Sequence, residues 1–561
     1  VIILGISSNY HDAAACIVRN GQPLAAAEEE RFSRRKHDAR FPHLAIAYCL
    51  REAGIKASEL DAIAFYEKPA RKLERVLQIG KRYAPASHAN VLAQFSHVIK
   101  EGVGVERIIR EQWEFSGPVY FCEHHLAHAA SAFYVSPFNE AAILTVDGVG
   151  EWATCAEFTG SGSEIDLRRE IYYPHSLGLL YSTITAYLGF KVNDDEYKIM
   201  GLASYGQPRF RKELEQLVQM HPDGSFSLAL TYFTFMFDAQ KMYSDKLVEL
   251  LGPARLPQEP ITDRHRDIAA SLQSVTEDIM VAMARSSREK TAHKNLCVAG
   301  GVAQNCVANS RILERSGFEN IFIQPAPGDS GAAMGAALWA SQEVFHEKRH
   351  IGEHHTLLGP AFTEEEMASA MKVFGISADR LDEETLCQRV ALLIHRNFVV
   401  GWFQGRMEFG PRALGSRSIL ANPCNPDMKD ILNARVKFRE EFRPFAPAVT
   451  EEAAPTYFEM NTRSPFMLLT PKVHPERATK IPSVTHVDGT ARVQTVSKSH
   501  HPLFHQLIES FAKLSGTPII INTSFNVRGE PIVCTPEDAI RCFLATDIDF
   551  LAMGPFLITK D

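Results

Sequence analysis

No run of 18 apolar residues occurs anywhere in the chain, so no segment reads as a transmembrane helix. No Cys-x-x-Cys pair occurs either. The ten cysteines are scattered, which reads as reduced cytoplasmic thiols sitting mostly in the core. Long basic runs are missing and the net charge is −8, which argues against a nucleic-acid groove, since that needs clustered Lys and Arg. The absence of Gly-x-x-x-x-Gly-Lys-Ser/Thr excludes a P-loop NTPase. The first residues, "VIILGISSNYHDAAACIVRNG", have no basic n-region and soon reach polar residues, so they read as a buried strand rather than a signal peptide, and the missing initiator Met implies trimming. There is no short-period repeat and no low-complexity tract. What remains is ordinary globular composition, 45% hydrophobic and 22% charged. At 561 residues the chain is too long for one core and implies two to four domains.

The apolar pattern alternates between strand and helix throughout, which reads as α/β. "VIILGIS" and "AAACIVRNGQPLAAAEEE" read as strands with a tight turn at Asn20-Gly21, and "HLAIAYCLREAGI" as a helix stopped by Gly54. "SELDAIAFY" runs into a short strand, and "AAILTVDGVGEWATCAEF" reads as strand, turn, strand. "NLCVAGGVAQNCVANSRILERSG" reads as strand, glycine turn and helix, with Asn305 inside the helix and Gly317 as its stop. "NIFIQPAPGDSGAAMGAALWASQEVF" repeats strand, loop, helix. The polar segment "HEKRHIGEHHT" (346–356) interrupts this order and reads as a linker between domains at 1–345 and 357–561. The second begins with a capping box at Thr363 and Glu366 and later opens a helix at Thr535-Pro536-Glu537-Asp538.

In "CEHHLAHAAS", His124 and His128 fall one helical turn apart on one face, and such a pair can hold a metal with two nitrogens. Paired histidines also arise at this spacing by chance. Two carboxylates favour the metal reading: Asp147 ends the strand "AAILTV", and Asp329 stands between a strand end and a helix start. Active sites of α/β folds collect at such strand ends. Two imidazoles with two carboxylates suit Fe(II), Mn(II) or Zn(II), whereas Mg prefers an all-oxygen set. His125 points elsewhere on the helix and reads as structural or supporting.

Gly300-Gly301 after a buried strand would let a nucleotide approach bare backbone, although a lone Gly-Gly more often only makes a turn. The segments "LGISSNYHDAAACIV", "LTVDGVGEWATCAEF" and "VAGGVAQN" occur in the order of the two phosphate hairpins and adenosine turn of the actin, Hsp70 and sugar-kinase fold, a resemblance that favours nucleotide binding. In the second domain, basic groups cluster among turn residues. They are Arg406, Arg412 and Arg417; Lys437, Arg439 and Arg443; and Arg492, accompanied by Asn522, Ser524 and Asn526. Solvated surface charge is the bland reading. Converging forks that grip phosphate are the functional one.

Together "HDAAACIV", "EEERFSRRKH", "HHLAHAASAFY", "MEFGPRALGSRSIL", "VKFREEFRPFAP", "VDGTARVQTV" and "NTSFNVRGEPIV" resemble the O-carbamoyltransferases of nodulation-factor and antibiotic biosynthesis, the NodU/CmcH type, to which the tobramycin enzyme is related. The resemblance covers nearly the whole chain. It implies an actin-like duplicated domain, similar to the tRNA threonylcarbamoyl-transferase subunit, followed by an α/β domain similar to threonylcarbamoyl-AMP synthase. It further implies that the second domain joins carbamoyl phosphate and ATP, arriving with Mg, into carbamoyladenylate, and that the first passes the carbamoyl group to a hydroxyl acceptor. On this resemblance His124, His128, Asp147 and Asp329 hold an iron-type metal, His11 is the general base and Lys36 helps hold the intermediate. Gly301 lies by its nucleotide, and Arg412, Lys437, Arg443, Arg492, Asn522 and Ser524 form the adenylate-making site. "SSNY" and the stretch 66–115 match no known acceptor pattern. For His11 the bland alternative is a turn histidine bonded to Asp12.

Carbamoyladenylate is a reactive mixed anhydride, so a closed path between the two sites is expected. Three rivals remain. A sugar kinase or ATPase explains only the first domain. A metalloprotease lacks the glutamate of His-Glu-x-x-His, since His125, Leu126 and Ala127 fill that interval. A tRNA-modifying subunit is disfavoured by acidic charge, and stable binding without turnover would favour a non-catalytic nucleotide-dependent scaffold. The acceptor, a sugar or another small alcohol, is not specified by the sequence, and a dimer is neither required nor excluded.

Overall fold

The computed structural model describes residues 1–238, 240–352, 354–440 and 442–560, with side chains at all of these but 96, 97, 100 and 101. Glu353 of the expected linker and Glu441 of the basic motif lie outside the described residues. The chain forms two units. One comprises Val1–Glu29 with His37–His354, the other Glu30–Lys36 with His355–Asp561. The sequence reading kept Glu30–Lys36 within the first domain. Among the described residues no helix is long and apolar enough to cross a membrane. The ten cysteines are thiols rather than disulfides, all buried except half-buried Cys424.

The first unit contains the same sheet twice. Strands β1 (Ile2–Ser7), β2 (Ala14–Arg19), β3 (Gln22–Glu28), β4 (Ala62–Phe65) and β5 (Val119–Phe121) align in the order 3-2-1-4-5. The first three pair antiparallel, while β4 and β5 add in parallel. Strands β6 (Glu140–Val146), β7 (Ala153–Ser161) and β8 (Glu164–Tyr172) repeat the hairpins. A small hairpin, β9 (Val218–Met220) and β10 (Phe226–Leu228), stands apart. Strands β11 (Asn295–Ala299) and β12 (Asn320–Ile323) then complete the order 8-7-6-11-12 with parallel pairing. β1 and β6 are almost wholly buried and read as continuous apolar runs, as strands covered on both faces do.

Helix His124–Phe133 follows the first sheet but packs on β6 and β11 of the second. Helix Asp329–Trp339 follows the second sheet but packs on β1, β2 and β4 of the first. The two helices therefore cross at the centre of the unit. Small residues allow it: a Cβ at Gly335 would stand 1.8 Å from the Ala127 carbonyl oxygen, and one at Gly5 would stand 1.9 Å from that of Ala333.

The second unit is built on one mixed sheet. Its strands are β13 (Asp379–Arg380), β14 (Val400–Phe403), β15 (Arg417–Ala421), β16 (Ala446–Thr450), β17 (Gln494–Val496), β18 (Ile519–Ser524), β19 (Phe550–Met553) and β20 (Phe556–Thr559), in the order 13-20-19-14-15-18-16-17. Side chains alternate across it. Trp402, Leu420 and Ile520 pack beneath helices Glu383–His395 and Pro502–Ser515. Phe403, Ile419 and Ile521 share the opposite core with Met367 of helix Glu364–Val373 and Ile540 of helix Pro536–Leu544. The expected caps are present: Thr363 and Glu366 bond reciprocally, and the Thr535 hydroxyl accepts from the Asp538 N–H at 3.2 Å.

Candidate active site

His124 opens its helix, and the buried Glu151 carboxylate accepts its N–H at 3.1 and 3.2 Å and that of Lys68 at 2.7 Å. An anion at a helix N-terminus satisfies free N–H groups and opposes the dipole. One turn later His128 brings its Nε2 to 3.2 Å from that of His124. Asp147, just past β6, places Oδ2 3.0 Å from His124 Nε2 and 2.9 Å from His128 Nε2. Asp329, first residue of its helix, places Oδ1 3.8 and 3.6 Å from the same nitrogens. The four donor atoms lie within 4.8 Å of one another, as the sequence pattern implies.

The donor set fits a divalent cation. Two imidazole nitrogens each about 2.1 Å from a shared ion would stand roughly 3.0–3.4 Å apart for angles between octahedral and tetrahedral. His124 Nδ1, His128 Nδ1 and Asp329 Oδ2 are buried without a hydrogen-bond partner. Burial disfavours charge on His128, but the carboxylates of Asp147 and Asp329 outweigh it and raise its pKa to about 9. Burial likewise disfavours the Asp147 charge, yet the two imidazoles hold that carboxyl well below its ordinary range. A cation would compete with the proton that His128 carries.

Glycine is required around Asp147. Its Oδ1 accepts from the N–H of Gly148 at 2.7 Å and of Gly301 at 3.3 Å. A Cβ on Gly301 would stand 2.9 Å from that oxygen. Gly300 has φ +91°, and its Cβ would lie 2.3 Å from the Val146 carbonyl oxygen. Asn305 is not inside the following helix. It caps Cys306–Arg315, accepting from the Ala308 N–H at 3.0 Å, because Asn binds free helix N–H groups better than it extends a helix. His125 is structural: Nε2 donates to the Ala153 carbonyl at 3.0 Å, Nδ1 faces the Thr145 hydroxyl at 2.7 Å, and burial lowers its pKa to about 3.

His11 Nδ1 lies 2.9 Å from Asp12 Oδ2, leaving Nε2 for other partners. Burial opposes its charge, but Asp12 outweighs burial, Asp329 and Asp147 add to the pull, and the pKa rises to about 9. Tyr10 has an exposed ring, yet desolvation of its hydroxyl and then the same two carboxylates raise its pKa, which places it in the field of the histidine cluster. The sequence reading assigned no role to Tyr10, whose only signal was its position beside His11.

In the second unit the basic residues divide. Arg406 donates to the carbonyls of Gly359 and Leu358. Arg417 is fully buried, donates to those of Gln404, Gly405, Ser416 and Pro360, and lies 3.7 Å over the Phe403 ring. Arg439 bonds Asn433 Oδ1 at 2.8 Å. These three spend guanidinium donors on the fold. Arg412, Arg443 and Arg492 precede β15, β16 and β17 respectively, and β18 ends at Ser524. The register pairs Ser418 with Ser524, Ala446 with Asn522 and Ala448 with Gln494, so these residues lie at one end of four neighbouring strands. Asn522 donates to Gln494 at 2.7 Å, and its own Oδ1 is buried without a hydrogen-bond partner. Lys437 Nζ meets four oxygens of Ser524 and Asn526, at 2.5–3.2 Å. Burial, helped by Arg439 and Arg443, pulls its pKa well below the usual lysine value.

Two structural supports here escaped the sequence reading. Glu408 is the buried acid within "MEFGPRALGSRS", and its Oε1 accepts the N–H groups of Leu414 and Ser416 at 2.6 and 2.7 Å. In Glu30–Lys36, Arg31 donates to the Gly410 carbonyl, Arg34 donates to those of Ile532 and Pro531, and Phe32 packs on Met407, Ile532 and Cys534. Half-buried Lys36 is the last residue of this segment.

Residues 2–338 match the family profile described as Carbamoyltransferase N-terminus, and residues 391–560 match Carbamoyltransferase C-terminus. An uncharacterized protein of Synechocystis is 45% identical over 594 residues, covering 100% of this chain and 96% of that one. Nodulation protein NolNO of Sinorhizobium fredii is 39% identical over 567 residues, covering 98% and 79%. Nodulation protein U of Rhizobium tropici is 29% identical over 577 residues, covering 98% and 95%. The two profiles follow one another along the chain, and the motifs that carried the resemblance lie within this shared length, so the chain belongs to the carbamoyltransferase family.

Proposed function

We propose that the chain is an ATP-dependent O-carbamoyltransferase acting on a hydroxyl of a sugar or other small molecule. The observation that carries this reading is the convergence of His124, His128, Asp147 and Asp329 in the field that also acts on His11. In the second unit, water hydrolyses carbamoyl phosphate to carbamate and phosphate, a carbamate oxygen attacks the α-phosphorus of ATP, and pyrophosphate leaves with the bonding pair. Arg412, Arg443 and Arg492 neutralise the polyanions. Lys437 holds Ser524 and Asn526 in place, and the open Asn522 Oδ1 accepts from the carbamate NH₂.

In the first unit the acceptor oxygen attacks the carbamoyl carbon and AMP departs. His11 Nε2 takes the hydroxyl proton, an effect of about 10²–10⁴ in rate, or roughly 3–5 kcal/mol. Iron(II), manganese or zinc held by the four ligands would supply Lewis-acid neutralisation of the leaving phosphate. The Gly301 backbone leaves room for that nucleotide, since any side chain there would meet Asp147. The test is incubation with ATP and labelled carbamoyl phosphate against a panel of alcohols, read by mass. The reading requires one added carbamoyl group with AMP and pyrophosphate released. ADP with a phosphorylated acceptor would make the chain a kinase.

A further inference from the structure

Behind His11, four side chains of the first unit form an unbroken line. His11 Nδ1 is 2.9 Å from Asp12 Oδ2, and Asp12 Oδ1 is 2.7 Å from His37 Nδ1. His37 Nε2 is 3.1 Å from Asp194 Oδ1, and Asp194 Oδ2 pairs with the exposed Lys191 at 3.2 Å. Neighbouring side chains on an extended strand point to opposite faces. His11 and Asp12 converge because Asp12 takes φ +53°, between Asn9 at +75° and the His37 turn at +54°. The turns are tied by Asn9 N–H to the Ala39 carbonyl at 2.7 Å and Ala13 N–H to that of Asp38 at 2.9 Å. Non-glycine residues hold such backbone only where the surroundings over-determine it, and they gather at functional sites.

We propose that Asp12, His37 and Asp194 form a positioning relay for His11. Once His11 gives up its Nε2 proton, Asp12 keeps the remaining one on Nδ1, so that Nε2 accepts from the hydroxyl, and His37 limits how basic His11 becomes. The assignment follows from donor and acceptor roles. Both His37 nitrogens face carboxylate oxygens, an arrangement that a protonated, positively charged ring satisfies by donating at both. That charge partly offsets Asp12, whose pull on His11 would otherwise be stronger. The groups acting on His11 include Asp12, Asp147 and Asp329, with the Tyr10 ring at 4.6 Å; among those on His37 are Asp12 and Asp194. In the transfer step the acceptor O–H breaks, its proton moves to His11 Nε2, and its electron pair forms the new C–O bond. The adenylate C–O bond breaks toward AMP. Asp12 balances the imidazolium without itself gaining the proton.

The relay rests on the reading of His11 as proton acceptor, but its test does not need turnover. Ring-¹⁵N histidine spectra of the full chain, stripped of metal with chelator, report tautomer and titration midpoint directly. In the unaltered chain, His11 should titrate near pH 9 and lose its Nε2 proton first. Asp12→Asn, which suits a positive φ, should lower the midpoint by about two units and mix the tautomers. His37→Asn, equally tolerant of its φ, and Asp194→Asn should instead raise it by about one unit, because each removes or discharges the offsetting cation. A merely structural role would not give opposite signs. Midpoints that fall or stay put in both His37→Asn and Asp194→Asn overturn the relay, even in an active enzyme. The expected shifts together with normal acceptor carbamoylation by His11→Asn would instead overturn the role of His11 and leave the relay geometry standing.

Discussion

At Asp147 one carboxylate serves two purposes: Oδ1 is held by two glycine N–H groups while Oδ2 faces both imidazoles. Asp147→Asn keeps the shape but replaces one charged oxygen, and His128→Ala deletes a buried nitrogen. Each should reduce bound divalent metal at least tenfold, measured by elemental analysis after dialysis, with the fold intact by circular dichroism. The His11–Asp12 pair also makes stability depend on pH. The raised His11 pKa contributes stability that is full below about pH 6.5 and lost as pH rises through about 9. The lowered Asp12 pKa contributes stability present above about pH 4 and lost in acid. Asp12→Asn should therefore cost most between about pH 5 and 7, on the order of 1–3 kcal/mol, and less above pH 9, as read from urea unfolding. The histidine pair was legible because a one-turn spacing is local. Asp147 and Asp329 were legible as polar residues at the ends of apolar runs. The Asp12–His37 bond was not, since it depends on two turns meeting across 25 positions. Nor could spacing show that Arg406 and Arg417 face carbonyls, because a guanidinium is equally at home on phosphate or on backbone.

Helices His124–Phe133 and Asp329–Trp339 each carry part of the ligand set, so their spacing sets the site. Gly335→Ala drives a methyl against the Ala127 carbonyl. It should lower stability by about 1–3 kcal/mol and weaken metal binding, whereas Gly352→Ala, which has open space, should change neither. Calorimetry and metal titration on the two variants check this. The strands and helices of both sheets were readable from apolar periodicity, but their crossing was not. Each helix leaves its own sheet for the other, and only small residues such as Ala127, Ala333 and Gly335 hint at so close an approach.

Over the whole chain, the α/β class and the two-part organisation were evident from the alternation of runs and the polar interval near 346–356. The placement of Glu30–Lys36 was hidden, because sequence order gives no sign that seven residues of an N-terminal motif complete the core of the second unit. A fragment starting at His355 should consequently be less stable, by roughly 2–5 kcal/mol, than one with Glu30–Lys36 fused back, since it loses the Arg34 hydrogen bonds and the Phe32 packing. Denaturant unfolding of the two fragments checks the difference.

The most direct test needs no acceptor: exchange of radiolabelled pyrophosphate into ATP by the full chain, with and without carbamoyl phosphate. Activation through an adenylate predicts exchange only when carbamoyl phosphate is present, and its loss in Arg443→Ala with Arg492→Ala. ADP formation without any carbamoyl phosphate-dependent exchange would contradict it.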